Sequence, residues 1–143
     1  MKQFIVHLDE TREAELLASM GKSLGAANIN ILSACETTTF GVSTAILLVN
    51  PHDEQQAIEV LRENRIAFSA QDVLIASFPN KPGTLGNFSQ LLGDQQIQIQ
   101  SFYLLPASSN TRTEFALSVK EADFEKAKSF LDASGFLKTF NGH

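Results

Sequence analysis

The sequence repeats itself at a spacing close to half its length, and this repeat limits the possible folds more than any other feature. Residues 24–31 align with residues 92–99, and Ser33 then matches Ser101. Further along, the same order of residue types recurs at four positions of each half: Asp53, Ala57, Val60 and Leu61 against Asp123, Ala127, Phe130 and Leu131. The chain of 143 residues is therefore predicted to contain two copies of one structural unit.

Each copy shows the same succession of hydrophobic patterns. Short β-rich runs at 4–8 and 73–78 are followed by apolar residues spaced three and four apart, which is typical of a helix with one buried face. These stripes are Leu17, Met20 and Leu24 in the first copy and Leu85, Phe88 and Leu92 in the second. The remaining elements are predicted strands at 29–37, 43–49, 97–105 and 112–119, helices beginning near Asp53 and Asp123, and closing strands at 66–70 and 136–140.

The order strand-helix-strand-strand-helix-strand predicts an α+β fold of two tandem ferredoxin-like βαββαβ modules, residues 1–71 and 72–143. Each module has a four-stranded antiparallel sheet with both helices on one face, and the two sheets are able to join into a continuous eight-stranded sheet. Residues 45–49 are apolar on both strand faces, so the second face needs a cover. We expect a second chain to supply it in a homodimer.

Composition excludes several functional classes. The net charge of −5 and the absence of a Lys/Arg cluster disfavour nucleic acid as a partner. We expect neither a signal segment nor a membrane span, which indicates a cytoplasmic protein. The single cysteine, Cys35, excludes an internal disulfide framework.

The most informative stretch is Phe-Pro-Asn-Lys-Pro-Gly-Thr-Leu, residues 78–85, between the first strand and first helix of the second copy. Pro82 favours the first helical turn, and Gly83 lets another group approach the backbone. We expect the N–H groups of Gly83, Thr84 and Leu85 to point outward and attract an anion. In the alternative interpretation, Pro-Gly is an ordinary tight turn and Asn80 caps the helix.

Residues 80–85, with the helix end Leu-Leu-Gly and the following Ile-Gln-Ile, are similar to the signature of ACT domains, the amino-acid-sensing modules of many metabolic enzymes. Nearly the whole chain resembles the small stand-alone proteins with two such modules. The resemblance implies that an amino acid binds between two modules, touching this loop and the start of the second strand of the other module. These implied contacts are Asn80, Lys81, Pro82, Gly83, Thr84 and Leu85, with Gln98 in copy two or Asn28 and Asn30 in copy one. Gln98 and Asn30 are equally interpretable as ordinary polar surface positions.

The first copy departs from this pattern. Residues 9–14 read Asp-Glu-Thr-Arg-Glu-Ala, without Pro or Gly and with three acidic residues. Such a loop repels a carboxylate unless Arg12 supplies the contact, so one ligand loop per chain is expected, in copy two.

Other activities have weaker sequence support. Cys35 and His7 are the only candidates for nucleophilic catalysis, and a cysteine on a strand is usually a small buried hydrophobe. No histidine has metal-ligand spacing, so neither a catalytic residue, a metal nor a cofactor is expected. Residues 39–42, Thr-Phe-Gly-Val, faintly resemble an aromatic RNA-binding strand motif, but no basic residue precedes them and no aromatic follows.

Two functions follow from these observations. One is a regulatory protein, not an enzyme, that binds an amino acid and thereby changes its assembly or its affinity for a metabolic enzyme. The other is an interaction subunit of an amino-acid biosynthetic enzyme, like the small subunit of acetolactate synthase, without a ligand of its own.

Overall fold

Each half of the chain forms an antiparallel sheet with two helices, as the repeat predicts. This computed structural model describes residues 1–8, 11–106 and 108–139. Its chain divides into two compact units between Asp72 and Val73. The fold is α+β, with ferredoxin-like units.

Unit 1 contains four strands in the order β2-β3-β1-β4, all antiparallel to their neighbours. Its elements are β1 (Lys2–Leu8), α1 (Glu13–Ala26), β2 (Ile31–Thr39), β3 (Val42–Val49), α2 (Glu54–Glu63) and β4 (Phe68–Asp72). Alternate residues of the central strands, among them Phe4, Val6, Leu47 and Val49, pack with Met20 and Leu24 of α1. The predicted helical stripe of the first copy therefore faces the core.

Unit 2 repeats this arrangement with one strand fewer. Its elements are β5 (Leu74–Pro79), α3 (Thr84–Asp94), β6 (Ile99–Leu104), β7 (Arg112–Val119) and α4 (Phe124–Ala133), and its sheet has the order β5-β7-β6. The predicted closing strand at 136–140 is reduced, within the described residues, to one bridge between Leu137 and Ala76. Two backbone hydrogen bonds hold it, from Ser77 N to Phe136 O (2.7 Å) and from Lys138 N to Ile75 O (2.8 Å).

Among the described residues, the strands pair within two separate sheets of four and three strands, and these do not join into the continuous eight-stranded sheet that the sequence allowed. The prediction about the second face of β3 is also corrected. Leu48 lies on the face opposite Leu47 and is fully buried within this single chain. Because its burial needs no second chain, β3 provides no argument for a homodimer.

The helices of both units end in the same way, and this shifts the following strands. Asn28 adopts φ 61, and the amides of Asn28 and Ile29 donate to Gly25 O and Leu24 O at the end of α1. This pair of bonds is a Schellman motif, which needs a left-handed residue just past the helix. Because Ile29 is bound to the helix, β2 begins at Ile31 rather than at 29 as predicted. Equivalent left-handed residues follow the other helices at Arg65, Gln96 and Gly135.

The core of unit 2 is built around aromatic rings. The Phe102 and Phe115 rings stack at 4.4 Å, Phe78 stacks on Phe115 at 5.4 Å, and Phe88 of α3 contacts Phe78, Phe102 and Phe136. Aromatic pairs of this kind add to the stabilisation that burial of their area provides. The position of α3, and therefore of the loop that precedes it, depends on Phe88.

Candidate functional site

The loop between β5 and α3 is a β-turn followed at once by the helix. Thr84 N donates to Lys81 O (3.2 Å), and Gly83 adopts φ 87 and ψ −15. Pro82 and Gly83 thus occupy the central positions of a type II turn, which favours proline first and requires a left-handed second residue. Pro82 was predicted in the first helical turn, but the helix begins only at Thr84 because the turn precedes it.

The start of α3 leaves backbone donors without an acceptor among the described residues. Within the described part of the chain, the N–H groups of Gly83, Leu85 and Gly86 have no acceptor, and all three residues are exposed. Thr84 was predicted to offer its amide too, but that amide is engaged in the turn. Leu85 was predicted on the buried stripe and is instead 46% exposed. Three unpaired amides at the positive end of a helix make a local anion-binding geometry.

The loop side chains are available for contact. Asn80, Lys81 and Pro82 are exposed. The backbone of Asn80 is fixed by a hydrogen bond from its N–H to Thr111 O (2.9 Å), directly before β7 begins. At the start of α3, no described side chain caps the helix with a hydrogen bond, and the first turn has no acidic residue. The alternative in which Asn80 caps the helix is therefore not realised in this structure.

A cation that the sequence pattern did not reveal lies beside the loop. Arg112 is the strand partner of Pro79, the last residue of β5. Its Nε donates to Ser77 Oγ and its Nη2 to Ser77 O, both at 2.9 Å. The sequence gives no local signal that Arg112 belongs to the site, because only the pairing of β5 with β7 brings it close to the loop.

Arg112 belongs to a charged group on one face of the unit 2 sheet. Glu114, 7% exposed, accepts hydrogen bonds on Oε1 from Lys138 Nζ (2.7 Å) and Ser108 Oγ (2.5 Å). Burial raises the pKa of the Glu114 carboxyl, but these two bonds and the charges of Lys138 and Arg112 outweigh it and leave the pKa below its ordinary value. The glutamate is therefore a paired anion, and it holds the segment after α4 against the sheet.

Gln98 lies at the opposite end of the sheet from the loop. It directly precedes β6, whose first residue Ile99 pairs with Val119, whereas the loop follows Pro79, which pairs with Arg112. The length of β7 separates these positions, about 24 Å at the usual rise per residue. Gln98 and the loop of the same unit therefore cannot contact one small ligand.

Asn28 and Asn30 lie in unit 1, and both are exposed. Asn28 already has a structural role, because its left-handed backbone closes α1. Asn30 stands between that motif and β2. Within unit 2, the structure brings residues 80–85 of the predicted contacts together and leaves Gln98 apart from them.

The equivalent loop of unit 1 has a different character. Asp9 and Glu10 lie outside the described residues. Arg12 Nε pairs with Glu15 Oε2 at 3.0 Å, and α1 carries Glu13 and Glu15 in its first turn. The single cation of this loop is therefore engaged by its own helix.

The candidates for catalysis are not brought together. Cys35 pairs with Ile46, which pairs with Ile5, and His7 lies two residues further along β1. Two strand spacings and two residues separate the Cys35 and His7 backbones by about 12 Å. His7 Nδ1 instead faces Thr44 Oγ1 at 3.5 Å.

Residues 1–8, 11–106 and 108–139 contain no group of three His, Cys, Asp or Glu able to hold a metal ion. Across the same residues, no helix has both the length and the apolar character to cross a membrane.

The fold recurs in solved structures at low sequence identity. Protein BT0572 from Bacteroides thetaiotaomicron is 22% identical with a TM-score of 0.82, and the match covers 96% of this chain and 90% of that one. The ligand-free regulatory subunit of aspartate kinase from Thermus thermophilus is 15% identical with a TM-score of 0.66, covering 92% and 87%. The structure of the aspartokinase alpha and beta subunits is 16% identical with a TM-score of 0.65, and the match covers 94% of this chain and 91% of that one.

These likenesses establish the tandem ferredoxin-like fold. Of the protein-family models and curated proteins compared, none matches the sequence.

Proposed function

We propose that this protein is a regulatory, ACT-type amino-acid-binding protein, and that the loop 80–85 holds the carboxylate of the ligand. The observation that carries the proposal is the set of unpaired amides of three exposed residues, Gly83, Leu85 and Gly86, at the start of α3. A carboxylate placed there gains hydrogen bonds from backbone donors and the favourable helix dipole.

The charges around the loop support an anionic ligand group. Lys81 lies in the loop, Arg112 lies at its base, and α3 has no acid in its first turn. The first turn of α1, in contrast, carries two glutamates. We therefore propose one ligand loop per chain, in module 72–143, and none in module 1–71.

A second module must complete the site. Because Gln98 lies about 24 Å along the sheet from the loop of its own unit, it can serve only a ligand held by another copy of unit 2. Asn28 and Asn30 are the corresponding candidates from unit 1. An amide side chain can accept from an ammonium group and donate to a carboxylate without the cost of burying another charge.

Binding between modules gives a route to regulation, because a ligand that contacts both favours the assembled state. We propose that a cytoplasmic homodimer changes its affinity for a metabolic enzyme in this way. The fold shared with regulatory subunits of aspartate kinase supports this class of function. In the alternative, the protein is an interaction subunit without a ligand.

A thermal-shift screen against the twenty amino acids tests the proposal. A ligand at a hundred times its dissociation constant stabilises the folded state by about 2.7 kcal/mol. The decisive variant is Gly86→Asp, because open space surrounds this position and a carboxylate in the first turn competes with that of the ligand. Gly86→Asn is the uncharged control of matched size.

We expect Gly86→Asp to abolish the ligand-induced shift while stabilising the ligand-free helix, and Gly86→Asn to keep the shift. Equal binding by both variants would show that no carboxylate sits at this helix start. The absence of a shift with every amino acid would favour the interaction subunit.

A further inference from the structure

Near the end of β5, one backbone carbonyl group has lost the partner that regular strand pairing would give it. Ser77 N donates to Phe136 O (2.7 Å). In a hydrogen-bonded antiparallel pair, Phe136 N would return a bond to Ser77 O. It donates instead to Leu131 O (2.9 Å), as part of the left-handed turn at Gly135 that ends α4. Among the described residues, the end of α4 therefore leaves Ser77 O without a backbone donor.

Arg112 supplies the missing donor. Its Nη2 donates to Ser77 O and its Nε to Ser77 Oγ, both at 2.9 Å. A buried carbonyl group needs a partner, and Ser77 is only 9% exposed. Two bonds from one rigid, planar guanidinium fix the orientation of Ser77 as well as its position. We call this pair of bonds the Arg112 clamp.

The clamp lies where the chain leaves the sheet for the ligand loop. Pro79, the last residue of β5, has no N–H with which another strand could hold it. The next attachment is the bond from Asn80 N to Thr111 O (2.9 Å). The clamp and this bond therefore hold the chain on either side of Pro79. Because the proposed ligand donors are backbone groups, their direction depends on how the chain enters the turn at 81–84.

The clamp and α3 lie on opposite faces of the unit 2 sheet. Phe78 packs on Phe88 of α3, and successive residues of a strand alternate between faces, so Ser77 faces away from the helices. The Arg112 guanidinium is directed to that face and back along β5, away from the loop. Arg112 is therefore suited to act on the loop through Ser77 and not by touching a ligand at the α3 amides.

The clamp has no counterpart in unit 1, where no ligand loop is proposed. Arg112 is the first residue of β7, and the first residue of β3, a strand of the same length, is Val42. Ser77 pairs with the third residue of β7, and His7 pairs with Thr44, the third residue of β3. A valine has no donor to offer, so the clamp occurs only in the unit that carries the ligand loop.

We propose that Arg112 is a positioning residue: its two hydrogen bonds to Ser77 set the direction in which residues 80–85 leave β5, and with it the direction of the α3 amides. This inference rests on the proposed function of the loop. Among the described residues, Arg112 forms no ion pair, although Glu114 follows two residues later on the same strand. Its hydrogen-bond acceptors are neutral oxygen atoms, so the geometry of the fork matters more than its charge.

The decisive variant is Arg112→Lys, which keeps the positive charge but cannot reproduce the planar fork. Its affinity is measured by titration calorimetry with the amino acid that stabilises the wild type most. We expect the dissociation constant to rise about tenfold, as when a group that orients a metal ligand is removed. Lys120→Gln, just past the far end of β7, removes a charge away from the clamp and is the control. Wild-type affinity in Arg112→Lys, or an equal loss in Lys120→Gln, would overturn the proposal.

A double-mutant cycle tests whether the effect passes through Ser77. Ser77→Ala removes the hydroxyl acceptor and should weaken binding by itself. Added to Arg112→Lys, it should change the affinity little further, because the bond is already lost. Fully additive losses would refute the assigned route.

Amide hydrogen exchange tests the clamp without a ligand, so its failure is distinguishable from that of the proposed function. In Arg112→Lys, the hydrogen-bonded amides of Asn80 and Thr84 should exchange about tenfold faster, since they lie beyond the broken clamp. The Ile66 amide, bonded at the end of α2, is the reference and should not change. If the wild type binds no amino acid, the proposed function is wrong. Unchanged exchange at Asn80 and Thr84 contradicts the clamp whether or not an amino acid binds.

Discussion

Two glycines of the same segment are expected to respond oppositely to one added methyl group. At Gly83, φ is 87, and a Cβ would meet no atom within 4 Å. Gly83→Ala therefore introduces no clash, and its cost is the backbone strain of a left-handed residue, about 1–2 kcal/mol. At Gly86, inside α3 with equally open space, alanine improves helix propensity by about 0.5–1 kcal/mol.

Urea unfolding of the two variants measures both effects. We expect Gly83→Ala to lower and Gly86→Ala to raise the free energy of unfolding, giving a difference of roughly 2 kcal/mol between them. Gly83→Asn should lie between glycine and alanine, because asparagine tolerates the left-handed region better. Two alanine variants that shift stability in the same direction would contradict the type II turn assigned to residues 81–84.

Three further changes have expected outcomes. Glu114→Gln should destabilise by about 2 kcal/mol at neutral pH. Because the pKa of Glu114 is lowered in the folded state, its contribution to the free energy of unfolding is complete above the ordinary value of 4.5 and is lost as the pH falls through the folded value. Urea unfolding should therefore show a smaller difference in stability between Glu114→Gln and the wild type at pH 3 than at pH 7. Phe88→Ala should cost about 3–5 kcal/mol and lower the near-ultraviolet circular dichroism of the ring cluster, since Phe88 contacts three rings. Asn28→Ala should cost about 1 kcal/mol by urea unfolding, whereas Asn28→Gly should be nearly neutral; if Asn28→Gly loses ligand binding, the asparagine is also a contact.

Much of the fold was accessible from the sequence because it depends on local periodicity. The stripes containing Met20 and Leu24, and Phe88 and Leu92, identified two helices and their buried faces. The starts of three strands, β2, β4 and β6, were predicted two residues too early. The helices before them end at the left-handed residues Asn28, Arg65 and Gln96, none of which is a glycine. Without glycine, these stop signals are not visible in the sequence.

The site was predictable only where its chemistry is local. Pro82 and Gly83 mark a tight turn before a helix in any interpretation, but the hydrogen bond from Thr84 to Lys81 decides which turn forms. The cations at Arg112 and Lys138 were missed, because strand pairing and the contact with Glu114 bring them to this face. Such long-range contacts leave no periodic signal.

The central claim is that backbone amides at the start of α3 bind the ligand carboxylate. Amide chemical shifts followed by nuclear magnetic resonance, during titration with an amino acid that stabilises the protein, test it directly. The account predicts the largest shifts at Gly83, Leu85 and Gly86, with a smaller shift at Thr84, whose amide is already bonded. Saturable binding that leaves these three amides unmoved would contradict it.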